Sequence, residues 1–203
     1  MVATSASTRA ARTRTRILQA ARWLLEERGY HGVGLESVAA AAGVSRQSIY
    51  VHFGSKAQLL LALVAHVDEQ EGLPELGAAV ECAPSATEAL HRFIDLVATL
   101  TPRVYRTAAV LDSARLDAPE AEAAWTDRIT SRRRRCARIV ARLDDEGRLS
   151  PAWSREDASD LLWAMTSVRV WEDLVVRRSW STARFRRHLR HALERALVGD
   201  EAL

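Results

Sequence analysis

Arg46, Gln47, Ser48, Tyr50 and His52 crowd into one short stretch of this 203-residue chain, and together they can make the contacts that read a nucleic-acid surface. A guanidinium pairs bidentately with guanine and a carboxamide with adenine. A well-made pair of this kind discriminates against the wrong base by about 1–3 kcal/mol. Ser48 is short enough for a base edge or a phosphate, and Ser45 and Lys56 bracket the set with a hydroxyl and an ammonium suited to phosphate. The chemistry works only if one rigid rod presents these groups.

The surrounding pattern supplies that rod. Leu35, Val38, Ala39 and Ala42 follow the i, i+3, i+4, i+7 spacing of one helical face. Gly43 is the φ-permissive residue a tight turn between helices needs. Ser45 is an N-cap for a helix over 46–53, with Ile49 and Phe53 turned inward and Arg46, Gln47, Ser48, Tyr50 and His52 left outward. This is the layout of a helix-turn-helix, whose second helix enters a major groove. Arg46 and Gln47 occupy the first turn of that helix, the end that meets bases. Glu36 would repel phosphate if it faced the duplex, so it is expected to point aside or to bond an arginine.

The stretch 29–59 resembles the TetR family of bacterial transcriptional regulators through Gly29-Tyr30, Val38-Ala39, Ala42-Gly43-Val44-Ser45, Ile49-Tyr50, His52-Phe53, Ser55-Lys56 and Leu59. It departs from the family at Gly34 (usually Thr), Gln47 (commonly Gly or Pro) and Ala57 (usually acidic). Gln47 adds a side chain able to read base edges, so it touches specificity rather than fold. The resemblance implies that Tyr50 and His52 meet phosphates or base methyls and that Lys56 clasps a phosphate. It also implies a homodimer on an inverted-repeat operator in double-stranded DNA, the last two helices (near 155–176 and 182–198) pairing with their symmetry mates. A small-molecule effector of unknown identity then releases the protein, as a repressor. An activator, or a DNA binder without effector, is the alternative. For Tyr50, packing between helices remains open, as does a plain surface role for His52.

Hydrophobic residues make up 48% and charged residues 27%, the composition of a globular protein. No apolar run approaches the ~20 residues of a membrane span, and the N-terminus lacks a secretory core, so a cytoplasmic protein away from membranes is expected. Cys82 and Cys136 are isolated and without metal-type spacing. Net charge is only +3, but residues through 56 carry +5 and the remainder −2, a basic end on a nearly neutral body. Lys56 is the only lysine among 29 basic side chains.

Residues 1–12 are Ala, Ser, Thr and Arg without apolar periodicity and read as a flexible basic arm, either a solvated tail or a minor-groove contact. The DNA-binding domain then spans 13–58, its first helix running to Gly29 with Ile17, Ala21 and Leu24 buried. A helical effector-binding and dimerisation domain covers 59–203. Ser55 opens a fourth helix to about residue 70, with Leu59, Leu60, Leu63 and Val67 along its stripe. The segment 71–84, with two Gly and two Pro, reads as a domain connection. Further starts are expected at Ser85, Thr101-Pro102, Asp117, Ser154 and Ser181. The sum is an all-α chain of about nine helices.

Five of the six tryptophans lie beyond residue 120. Phe93, Val97, Tyr105, Trp125, Arg132, Trp163 and Thr166 form a candidate effector pocket, against the plainer reading of core and dimer seam. Trp171, Leu174, Leu189 and Leu193 are the candidate seam. In the run Arg132–Arg135, one arginine either reaches an acidic effector or snorkels and pairs with a carboxylate. His188 and His191 lack a third ligand at useful spacing. The chain has no nucleophile elbow, phosphate loop or zinc signature, so neither catalysis, metal nor cofactor is expected.

Overall fold

The computed structural model describes the backbone of residues 2–199 and the side chains of residues 9–199. Its helices are α1 (Val2–Arg28), α2 (Leu35–Ala42), α3 (Arg46–Phe53), α4 (Lys56–Gln70), α5 (Leu73–Glu81), α6 (Ala86–Ala114), α7 (Pro119–Asp145), α8 (Arg155–Met165), α9 (Val168–Trp171) and α10 (Thr182–Leu197). A π-helical stretch, Glu172–Arg177, continues α9. Among the described residues there is no strand, only an isolated antiparallel bridge between Leu149 and Val198. No single described helix is long and apolar enough to cross a membrane.

Serine caps place five helix starts where expected. Ser45, Ser55, Ser85, Ser154 and Ser181 each accept the backbone N–H three residues on, at 3.1, 3.1, 3.2, 3.0 and 3.1 Å. Each satisfies a donor that has no partner inside its helix.

Five expectations are corrected. Residues from Val2 on, read as part of a flexible arm, are the beginning of α1; Met1 lies outside the described residues. Ala and Arg propagate a helix well once the buried turns after Ile17 have nucleated it. The supposed connection contains α5, because Pro74 sits in its first turn, where no hydrogen bond is lost, and Val80 is buried. Thr101-Pro102 starts nothing: α6 runs through Pro102. A proline inside a helix costs about 3 kcal/mol or more, and buried Val97, Ala98 and Leu100 before it and Thr107 and Val110 after it hold the rod together. The helix expected over 155–176 breaks at Thr166, where Ser167 adopts an extended conformation and caps α9. Asp117 does not cap α7; its carboxylate faces His31 at 3.3 Å.

The chain forms two compact units. One, the head, takes in the chain up to Gln70 together with Arg106–Asp127, so it is larger than the 13–58 read from sequence. Its core joins Ile17, Ala21, Leu24, Val38, Ile49, Leu59, Leu60 and Leu63 to Leu111 and Ala114 of α6. Arg106 meets Glu27 at 2.7 Å, and the Thr107 hydroxyl donates to Glu26. The second unit, Glu71–Tyr105 and the chain from Arg128 onward, buries Phe93, Ile94, Cys136, Val140, Leu143, Leu162, Phe185 and Leu193.

Candidate nucleic-acid interface

The turn between α2 and α3 is closed at both ends by hydrogen bonds. Gly43 adopts φ 62°, ψ 42°, its N–H reaching the Ala40 carbonyl at 3.2 Å while Val44 N–H reaches Ala39 at 3.0 Å. This is a left-handed cap that a side chain would strain. Arg16 of α1 lies over it, donating to the carbonyls of Ala42 and Gly43, so that a Cβ on Gly43 would come within 3.0 Å of the guanidinium. Gly34 precedes α2 in extended conformation, without a side-chain cap.

α3 is anchored from behind by Ile49, fully buried, and Phe53. Arg14 stacks on the Phe53 ring, 4.6 Å from its centre, and donates to the His52 carbonyl at 3.4 Å. Arg46 and Gln47 are exposed and Ser48 is half-buried. Tyr50 is 43% exposed, standing out from α3 rather than packed between helices. The Arg46 guanidinium donates to the Tyr50 hydroxyl at 3.0 Å and pairs with Glu36 of α2. The Tyr50 hydrogen bond first, and the Glu36 carboxylate second, raise its pKa further. His52 is half-buried, its ring 6.0 Å from that of Phe53. The Ser45 hydroxyl spends its acceptor on the cap and keeps its donor.

Lys56 is more committed than sequence suggests. Its ammonium donates to the Tyr30 carbonyl at 2.5 Å and sits 4.1 Å over the Tyr30 ring, where partial burial lowers its pKa. Val51 escaped the sequence reading. It is 78% exposed, one helical turn after Gln47 and on the same outer side. Its place opposite Ile49 and Phe53 was the available signal. Arg9, Arg12 and Arg16 of α1 line an open cleft of about 630 Å³ with Ser45 and Ser48, so the basic N-terminal residues run beside the turn.

Residues 17–63 match the family model for bacterial regulatory proteins of the tetR family. Over that segment the chain is similar to the tetR family, and it spans only about a quarter to a third of the length of the curated relatives it matches. The HTH-type transcriptional activator FasR of Mycolicibacterium smegmatis is 45% identical over 56 residues, 27% of this chain and only 26% of that protein. NalD of Pseudomonas aeruginosa, the secondary repressor of the MexAB-OprM multidrug efflux pump, is 26% identical with TM-score 0.72 over 94% of this chain and 99% of its own. A transcriptional regulator from Saccharomonospora viridis, solved with choline, superposes with TM-score 0.79 at 22% identity over 94% of this chain and all of its own; it shows the fold.

The residues singled out for an effector divide. Arg132, Trp163 and Thr166 come together: the guanidinium donates to the Trp163 carbonyl at 2.7 Å and the Thr166 hydroxyl at 3.4 Å, 5.0 Å from the Trp163 ring centre. Tyr105 instead packs on Trp171, ring centres 5.0 Å apart, where burial first and the Glu172 carboxylate second raise its pKa. Phe93 and Val97 are buried in the core. Trp125 belongs to the head, under the Arg115 guanidinium at 5.7 Å. Of the seam residues, Trp171, Leu189 and Leu193 are at most 5% exposed within the single chain, so they have almost no surface left for a partner, whereas Leu174 is half-buried. The alternating burial of α10 arises because Phe185, Leu189, Leu193 and Leu197 share the face turned to the chain's own core.

Proposed function

We propose that this chain is a DNA-binding transcriptional regulator that reads an inverted-repeat operator as a homodimer in the cytoplasm and answers to a small molecule. The observation that carries the reading is the presentation of α3: Ile49 and Phe53 hold it from behind while Arg46, Gln47, Ser48, Tyr50 and Val51 stand outward. Arg46 and Gln47 read base edges, Val51 meets a thymine methyl, and Ser45, Tyr50, His52 and the α1 arginines supply phosphate contacts. Lys56 contributes to phosphate binding only through whatever donors the Tyr30 carbonyl leaves it. A repressor is favoured over an activator because NalD, a repressor, aligns along nearly the whole chain, whereas the activator FasR aligns over only 56 residues. Dimerisation engages Leu174 and the exposed flank around Val176 rather than the buried faces of Trp171, Leu189 and Leu193.

Selection of bound fragments from a random duplex pool tests this. An inverted repeat with half-sites about one helical turn apart is expected. Protein carrying Arg46→Ala and Tyr50→Ala should select nothing, and equal enrichment by that variant sinks the reading.

A further inference from the structure

We propose that Arg132 is the anchor for an organic carboxylate, so that the small molecule sensed by the second unit is an acid with an apolar body. This deepens the effector-binding reading above and rests on it. The run from Arg132 separates by what each side chain meets. Arg133 pairs with Asp160 at 3.2 Å, Arg135 with Glu81 at 3.6 Å, and Arg138 with Glu81 at 2.6 Å, while Arg134 is exposed to solvent.

Arg132 is half-buried, and among the described residues no carboxylate meets it. Its hydrogen bonds come from Nη1 alone, to a carbonyl and a hydroxyl, and its Nε–Nη2 edge engages none of the described residues. That edge carries two parallel N–H groups at the spacing of the two oxygens of a carboxylate. The neighbouring ionisable group, Cys136, supplies no counter-charge, because burial pushes its thiol up to about 11 and leaves it neutral. Burial correspondingly lowers the Arg132 pKa. The Trp163 indole N–H, on the residue whose carbonyl Arg132 uses, is buried without an acceptor. The place therefore offers a cation and a spare donor and lacks an anion, with the apolar face of the Trp163 ring 5.0 Å from the guanidinium. A half-buried charge without a partner is unfavourable until an anion arrives.

Thermal unfolding of the full chain reads the site, since a ligand that binds only the folded state raises Tm. The probes are benzoate and hexanoate, each beside its primary amide, on the parent, Arg132→Met and Arg133→Gln. At least one acid should protect the parent and Arg133→Gln, with its amide about tenfold weaker or worse, and should no longer protect Arg132→Met. Without ligand, Arg132→Met should melt no lower than the parent; if it does not fold, Arg132→Gln takes its place in the titration. The proposal is overturned if neither acid protects the parent, if amides protect as well as acids, or if the Arg132 variant keeps the protection. Duplex selection on the same preparations separates the two readings: lost selection with intact acid protection removes the regulator and leaves the carboxylate anchor standing.

Discussion

In the head, outward polar groups are held by neighbours on the surface. Arg46 leans on Glu36 and Tyr50, Arg14 on the His52 carbonyl, and Arg16 on the carbonyls that end α2. In the second unit two indole nitrogens, of Trp163 and Trp171, are buried without an acceptor. The contrast is one of solvent. An exposed pair exchanges partners with water, or with DNA, at little cost, so the head can prearrange its reading groups without committing them. A buried donor has already lost its water, so whatever supplies an acceptor gains strongly. The head presents an arrangement at its surface, and the second unit keeps indole donors without acceptors inside.

If that contrast holds, core and surface substitutions should separate by readout. Phe185→Ala in the second unit should cost about 3–5 kcal/mol in denaturant unfolding, because a fully buried ring leaves a cavity. Val51→Ala in the head should leave unfolding unchanged and weaken only sites with a thymine under α3. Comparable destabilisation by both would erase the distinction.

The buried thiol sharpens it through pH. Burial pushes the Cys136 thiol up to about 11 in the folded chain, above its ordinary 9.0, so the unfolded chain loses this proton first as pH rises. Its contribution is fully present below pH 9 and falls away between pH 9 and 11, by about 2–3 kcal/mol in all. Unfolding curves at pH 8 and pH 10.5 should therefore converge for the parent and Cys136→Ser; an unchanged gap would show the thiol is not so enclosed. Exposed Cys82 should react with a thiol reagent at neutral pH while Cys136 does not.

Arg46→Ala should lower operator affinity about tenfold or more without moving the unfolding midpoint, measured by anisotropy on a labelled duplex. The smallest effect belongs to Glu36→Gln. Removing a negative charge beside the reading groups should strengthen binding to unrelated DNA a few-fold and narrow the specificity ratio. Weaker binding to all sequences would show instead that Glu36 acts by positioning Arg46.

What could be read without a fold is what depends on neighbours along the chain. The turn of Gly43, the cap of Ser45 and the inward pair Ile49 and Phe53 follow from helical spacing and φ preference, and so do the serine starts of α4, α6, α8 and α10. Reading Pro102 as a start and 71–84 as a connection failed for one reason: local breaking signals were overridden by buried apolar faces that only the packed chain brings together. The same holds for sites. Arg46, Gln47 and Tyr50 are outward because Ile49 and Phe53 are inward, a matter of one helix. Whether Trp171, Leu189 and Leu193 meet a partner or the chain's own core, whether Lys56 is spent on Tyr30, and which arginine of 132–135 is half-buried without a carboxylate depend on residues tens of positions away. Periodicity shows that a face is buried, but only the tertiary structure shows against what.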